Sequence, residues 1–342
     1  MNIQEKKYSK FALVKEMLET SDVVKKFDPS VSERFAGMIK NKKKVFFTGE
    51  GSSRIFPAKR AMAYAMRKNL PFTFCTDGAT QALEYSLDDY AVFAASNSGK
   101  TKEVIRLLTK LQKNGHQALF GLTANKDTQL EKLTCNTHVL SCGGEDAVAA
   151  TKSVIEQALF YHSVCARAAG STLNNLSAAA DSIHQALTLV IEADLVKKIA
   201  NSPVIYFAGR NNGAAEELAL KTNEITRKKS AYLEGTYAVH GIEEVMDKKE
   251  TVIIVEPFEE EVDKFSECLV KGVGMNVIAL STKKTIFPTV IIPDGGEYAE
   301  YVQLAAGWNL LVEIGLAAGI DLDKPQRARK VRIMPDVRFF EV

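Results

Sequence analysis

The sequence predicts an α/β protein built from two tandem, doubly wound parallel sheets. Two observations carry that expectation. Short, nearly continuous apolar runs alternate with helical stretches along most of the 342 residues. This is the pattern of βαβ units whose strands are covered on both faces. In addition, Val204–Gly209 (VIYFAG) echoes Lys44–Gly49 (KVFFTG), and each run leads into a polar, Gly-containing turn. One plan therefore repeats at a period of roughly 160 residues, as in a tandem duplication.

The elements follow in order. Residues 1–30 form a charged N-terminal segment with helical spacing from Lys10 to Lys26. The first unit, residues 31–170, should hold strands at Lys44–Gly49, Phe72–Cys75, Ala91–Ser96, Ala118–Thr123 and His138–Cys142. Helices are expected between them at Arg54–Arg67, Gln81–Tyr85 and Thr101–Lys113, and after them at Thr151–Ala169. The Ser/Asn/Thr-rich stretch Ser171–Ser177 marks a break, and a single helix should run from Ala178 to Ala200. The second unit, residues 178–342, should hold strands at Val204–Gly209, Thr251–Val255, Asn276–Leu280 and Thr289–Ile292. Its helices are expected at Ala214–Lys229, Glu259–Val273 and Tyr301–Ala318.

Composition narrows the function. A hydrophobic share of 46% and a charged share of 25% suit an ordinary globular chain. With a net charge of +2 there is no bulk attraction to nucleic acid or an anionic membrane, so an anionic ligand needs a local site. The N-terminus lacks the apolar core of a signal peptide, which implies a cytoplasmic protein. The apolar stretch Leu304–Ile320 contains Asn309 and Glu313, which favours a buried helix over a membrane span. Five scattered cysteines without a CxxC pair read as buried, reduced thiols. No metal or redox cofactor is expected, since HExxH, a Walker A loop and a complete GxGxxG are all missing. In the last case Arg54 stands where the third glycine would be.

Ligands of open α/β sheets bind at the carboxyl ends of the strands. There the sequence offers Ser96-Asn97-Ser98-Gly99-Lys100-Thr101, with three hydroxyls, an amide and a glycine ahead of a helix. Such a loop suits a phosphoryl group, because free N–H groups and the helix dipole both favour an anion. The same string also fits a plain Ser/Thr helix cap with a turn glycine. Gly51-Ser52-Ser53, and the helix start Val148-Ala149-Ala150-Thr151-Lys152, are further candidates at the same edge.

Together these strings resemble the SIS (sugar isomerase) family, most closely the isomerase half of glucosamine-6-phosphate synthase and stand-alone amino-sugar-phosphate deaminases and isomerases. The resemblance runs from about Lys42 to Val331 and implies two tandem, flavodoxin-like SIS domains. It implies a sugar 6-phosphate ligand held by Ser52, Ser53, Ser96, Asn97, Ser98, Thr101 and Val148. In the second half, Ala219-Leu220-Lys221-Thr222-Asn223-Glu224-Ile225 is similar to the family's A-L-K-x-x-E-[IL] helix. His240-Gly241 follows at the family's spacing, and Asp323 to Lys330 resembles its D-x-P-R-x-x-x-K tail. The implied roles are Glu224 as the base; Lys221 in binding the substrate; His240 for ring opening, reaching in from the second subunit of a homodimer; and Lys330 for the enediolate oxygen or a Schiff base. Tyr237 stands where the family commonly has glutamate, and Ile242 where it has proline.

Read as residues alone, Glu224 also fits a salt-bridged helix glutamate with Lys221 at i−3, and Lys330 a basic surface residue. The resemblance implies proton transfer between C1 and C2 of an opened (amino)hexose 6-phosphate. Deamination of glucosamine 6-phosphate is the first expectation. Aldose–ketose isomerisation or fructosamine-6-phosphate deglycation is the second. Glutamine hydrolysis is not expected of a chain that begins Met1-Asn2 without an added domain. A non-catalytic sugar-phosphate sensor is the alternative class, although no helix-turn-helix module is evident.

Overall fold

A computed structural model describes residues 1–325 and Arg327. The chain opens with helices α1 (Lys6–Ser9), α2 (Ala12–Lys26) and α3 (Glu33–Lys42). The first βα series is β1 (Lys44–Gly49), α4 (Ile55–Arg67), β2 (Thr73–Gly78), α5 (Ala79–Ala82) and β3 (Tyr90–Ala95). It continues through α6 (Lys102–Lys113), β4 (Leu119–Thr123), α7 (Gln129–Leu133), β5 (Asn136–Val139) and α8 (Lys152–Ala168). Two helices, α9 (Leu176–Thr188) and α10 (Ala193–Ala200), lead to the second series. This comprises β6 (Val204–Gly209), α11 (Ala214–Thr226), β7 (Lys229–Glu234), β8 (Thr251–Val255) and α12 (Val262–Phe265), which runs on as a π-helix over Ser266–Val273. β9 (Asn276–Ser281), β10 (Thr289–Ile291) and α13 (Ala299–Ala317) complete it.

The first sheet has the order β2-β1-β3-β4-β5 and the second β7-β6-β8-β9-β10, all strands parallel. Counted within each half, both orders are 2-1-3-4-5, so the repeat read from the sequence is a repeat of topology. The architecture is two tandem doubly wound α/β units, as the sequence predicts.

Four sequence expectations need correction. The helix expected over Ala178–Ala200 is two helices. The backbone is extended at Leu189, and the carbonyls of Ala186 and Leu189 turn to Nδ2 of Asn309, at 3.1 and 2.7 Å, in place of helical bonds. The strand β7 lies where the sequence reads as the end of a helix and a loop. It is an edge strand in which only Leu233 is buried, so it lacks the apolar run of a central strand. The helix α3 was not expected, because its buried Phe35, Ala36 and Ile39 are scattered among charged residues. Of the cysteines only Cys165 is buried; Cys135, in the turn before β5, is exposed.

The apolar stretch Leu304–Ile320 is largely α13, buried almost throughout and carrying Trp308 into the core. Each such side chain, fully buried, contributes about 1.5–3 kcal/mol. Among the described residues no helix is long and apolar enough to cross a membrane. Gly307 lets α13 approach α11 closely, since a Cβ there would overlap the Leu218 side chain. That approach fixes the helix on which the site is built.

Between α4, α8 and α13 lies a polar island in this core. The imidazole of His162 is fully buried between the rings of Tyr64, Tyr298 and Tyr301, and neither nitrogen has a hydrogen-bond partner among the described residues. Burial, helped by Arg60, Arg67 and Lys68, holds its pKa well below the ordinary 6.5. The unfolded chain therefore binds a proton that the folded one refuses, and stability falls as the pH drops through about 6.5. Urea unfolding should show the midpoint falling from about pH 7 to about pH 5. In His162→Phe the fall should be visibly smaller, with the remainder contributed in part by His138, whose pKa burial also lowers.

Candidate functional site

The site forms where the strand ends of the first sheet meet α11 from the second half. β1 ends at Gly49, against β3. A Cβ on Gly49 would lie 2.9 Å from the Ala95 carbonyl oxygen and 3.1 Å from that of Ser53. The turn Gly51–Ser53 is thereby pressed beside the loop that starts at Ser96. In that loop the Ser96 and Thr101 hydroxyls lie 2.7 Å apart, and Ser96 Oγ also accepts the Thr101 N–H at 3.3 Å. Gly99 N–H bonds the Ser96 carbonyl and Lys100 N–H the Ser98 hydroxyl. The hydroxyls of this loop thus bond within it, so an incoming phosphoryl group would exchange bonds with them. Gly99 has φ +65°, and a Cβ there would overlap Thr128, so the turn requires glycine.

The Asn97 side chain donates to Glu145 Oε2 at 3.1 Å. Glu145 in turn accepts the Thr151 N–H at 2.7 Å, the Thr151 hydroxyl and the Ser153 hydroxyl. That carboxylate joins the Ser96 loop to the start of α8, with half-buried Val148 between. The stretch before Val148 is held from the far side by Glu16 of α2, which accepts the N–H groups of Asp146 and Ala147. Glu19, one turn on, pairs with Lys152 at 2.7 Å.

On α11, Glu217, Lys221 and Glu224 occupy one face at i, i+4 and i+7 spacing. The ammonium of Lys221 is buried. It donates to Ser52 Oγ at 2.8 Å and Glu224 Oε2 at 2.7 Å, and stands 3.5 Å from Glu217 Oε1. Burial pulls the Lys221 pKa down, but Glu224 and Glu217 outweigh it, and the net shift is upward. Glu217 is fully buried, and that burial raises its pKa against the pull of Lys221. Glu224 keeps a side-chain exposure of 30% and is the member of the trio open to a ligand.

Hydrogen bonds join Ser52, Lys221 and Glu224 in one group, and Ser96, Thr101 and Asn97 with the start of α8 in another, and Gly49 sets the two turns side by side. The Lys221–Glu224 ion pair that the spacing allowed is present. His240 is not part of this cluster within the chain: it is exposed after β7, its Nε2 3.2 Å from Lys264 Nζ. Lys330 lies outside the described residues. Among the described residues no group of three His, Cys, Asp or Glu side chains is arranged to hold a metal ion. Sequence reasoning missed Glu217, Glu145 and Glu16. Only the helical spacing of Glu217 from Lys221 could have signalled any of them.

The second sheet offers the corresponding strand end and closes it. Glu256 N–H bonds the Leu280 carbonyl just as Ser96 N–H bonds that of Leu122, each at 2.9 Å. The Glu256 carboxylate accepts Thr282 N–H at 2.6 Å and Ser281 Oγ at 3.2 Å, and Arg210 donates to its carbonyl.

The SIS-domain family model matches residues 38–167, which span β1–β5 and most of α8. The first unit is thus a SIS domain. The whole chain carries the double-SIS fold: it resembles the C-terminal domain of glucosamine-fructose-6-phosphate aminotransferase from Francisella tularensis with a TM-score of 0.77 at 20% identity. That alignment covers 94% of this chain and 100% of the other. Glucosamine-6-phosphate deaminase from Thermotoga maritima aligns with a TM-score of 0.72 at 19% identity, covering 94% and 98% of the two chains. At such identities the likeness is one of fold. An uncharacterized HTH-type transcriptional regulator of Clostridium perfringens (strain 13 / Type A) is 34% identical over 113 residues, or 32% of this chain, and the match spans 40% of that regulator's length.

Lys221 is the buried counter-ion of Glu217, so removing it should be costly. Lys221→Met should destabilise the protein by about 3–5 kcal/mol in denaturant unfolding, as expected for an uncompensated buried charge. Adding Glu217→Gln to that variant should recover most of the loss.

Proposed function

We propose that the chain binds a hexose 6-phosphate and moves a proton between C1 and C2 of the opened sugar, with glucosamine 6-phosphate as substrate and fructose 6-phosphate and ammonia as products. The phosphoryl group would lie on the Ser96–Thr101 loop, with Ser52, Ser53 and the Val148 stretch along the sugar. Glu224 would take the C2 proton and return it at C1, and water would then release ammonia from the resulting imine. Lys221 would hold the Glu224 carboxylate in place, and Lys330 would meet the oxygen at the reacting end. His240 would open the ring from a second copy of the chain. This accords with its exposure beside Tyr237 (51%) and Val245 (74%), two apolar side chains open to solvent on the same excursion.

The observation that carries the reading is the Lys221 ammonium, which bonds a hydroxyl of the first-half turn and the carboxylate of the second-half helix at once. This supports placing the candidate base and the strand-end turns of the first half in one site. General acid–base transfer by such a carboxylate contributes about 10²–10⁴-fold.

A panel of hexose and hexosamine 6-phosphates, followed for ammonia and for ketose, tests this directly. Ketose without ammonia would redirect the reading to aldose–ketose isomerisation. Glu224→Gln should lower kcat by about 10²–10⁴-fold while sugar-phosphate binding persists. Binding without turnover of any panel member by the unaltered protein would favour a sensor, a role consistent with the partial match to a transcriptional regulator.

A further inference from the structure

α11 ends in an unusual way. Its last helical residue is Thr226, and Arg227 follows in the left-handed conformation with φ 58°. Glycine or asparagine ordinarily fills such a place, because a larger side chain is strained there. An arginine held in that conformation points to a use for its side chain, and the hydrogen bonds show one.

One guanidinium nitrogen, Nη1, donates to the carbonyls of Glu224 and Ile225, the latter at 3.1 Å, so it finishes the helix that carries the candidate base. The other, Nη2, donates to the carbonyls of Asp321 and Lys324, each at 3.0 Å. These belong to the segment that leaves α13 and continues toward Lys330. The same segment is fixed from its other side by Asp323, whose carboxylate accepts the N–H groups of Ala12 at 2.7 Å and Leu13 at 3.0 Å. Those are the first amides of α2, whose own N-cap, Phe11, has no side-chain oxygen to offer. The fork geometry of a guanidinium is what allows two carbonyl pairs on separate elements to be joined by one side chain.

We propose that Arg227 is a positioning residue that ties the carboxyl end of α11, where Glu224 sits, to the C-terminal segment Asp321–Lys324. It sets the separation between the base and the root of the chain that leads to Lys330. The inference rests on the proposed reaction for its effect on turnover, but the tie itself is a property of the described residues.

Arg227→Gly is the decisive variant, because glycine relieves the positive φ while deleting the fork. It should fold with a denaturation midpoint close to that of the unaltered protein. Hydrogen exchange at the amides of Asp321–Lys324 should quicken about tenfold or more, as for a segment that has lost its anchor. On the sugar 6-phosphate turned over best, kcat should fall about tenfold or more with KM little changed, since misplaced groups cost rate more than binding. Arg227→Lys, which reaches one carbonyl but cannot fork, should recover only part of either effect. Unchanged exchange in Arg227→Gly would overturn the tie whatever the reaction is. Faster exchange with unchanged kcat would overturn the positioning role. If the unaltered protein turns over no sugar phosphate, the reaction has failed and the positioning role with it, while the exchange result still decides the tie.

Discussion

The buried ammonium of Lys221 is the constraint on which the site depends. It sits where a turn of the first sheet meets a helix of the second half, and it faces two carboxylates and a hydroxyl there. Taking such a group out of water is expensive, and the cost is met only when its partners are fixed around it. The two halves must therefore dock in one arrangement for this charge to be tolerated. That arrangement places Glu224, partly open to solvent, at the junction with the Gly51–Ser53 turn.

The rest of the scaffold holds that junction still. Gly307 allows α13 to lie hard against α11, so the helix bearing the trio has little freedom to roll. Glu16 and Glu19 of α2 grip the stretch on either side of Val148 from behind, and Glu145 links that stretch to the Ser96 loop. Side chains that serve a reacting group need such support, because a loose site loses rate even when every residue is present. Much of the polar content of this interior lies in the supporting bonds rather than in groups that would touch a ligand.

The sequence was most legible where burial is most complete. Central strands such as Lys44–Gly49, Val204–Gly209 and Thr251–Val255 coincide with their apolar runs, because both faces are covered and nothing breaks the pattern. The edge strand Lys229–Glu234 left no such trace, and the bend at Leu189 depends on Asn309, which is distant in sequence. At the site, Ser96, Thr101, Lys221 and Glu224 stood out because short motifs carried them. Glu145, Glu16 and Arg227 did not, since an acid or a cation in a loop or helix end looks like surface until its partners are known. His240 was legible as a residue but not as a neighbour, because its place within one chain is against Lys264.

The carboxylate of Glu256 gives the duplication its asymmetry. Two mouths were laid down by one topology, and one is stoppered from inside by an acid that occupies the backbone amide and hydroxyl an anion would seek. A dianionic guest would meet fixed like charge there. Under the proposed function, and despite its twofold internal repeat, a single polypeptide would offer lodging to one such guest rather than two, with the rear copy lending the flank of a helix instead of its own doorway.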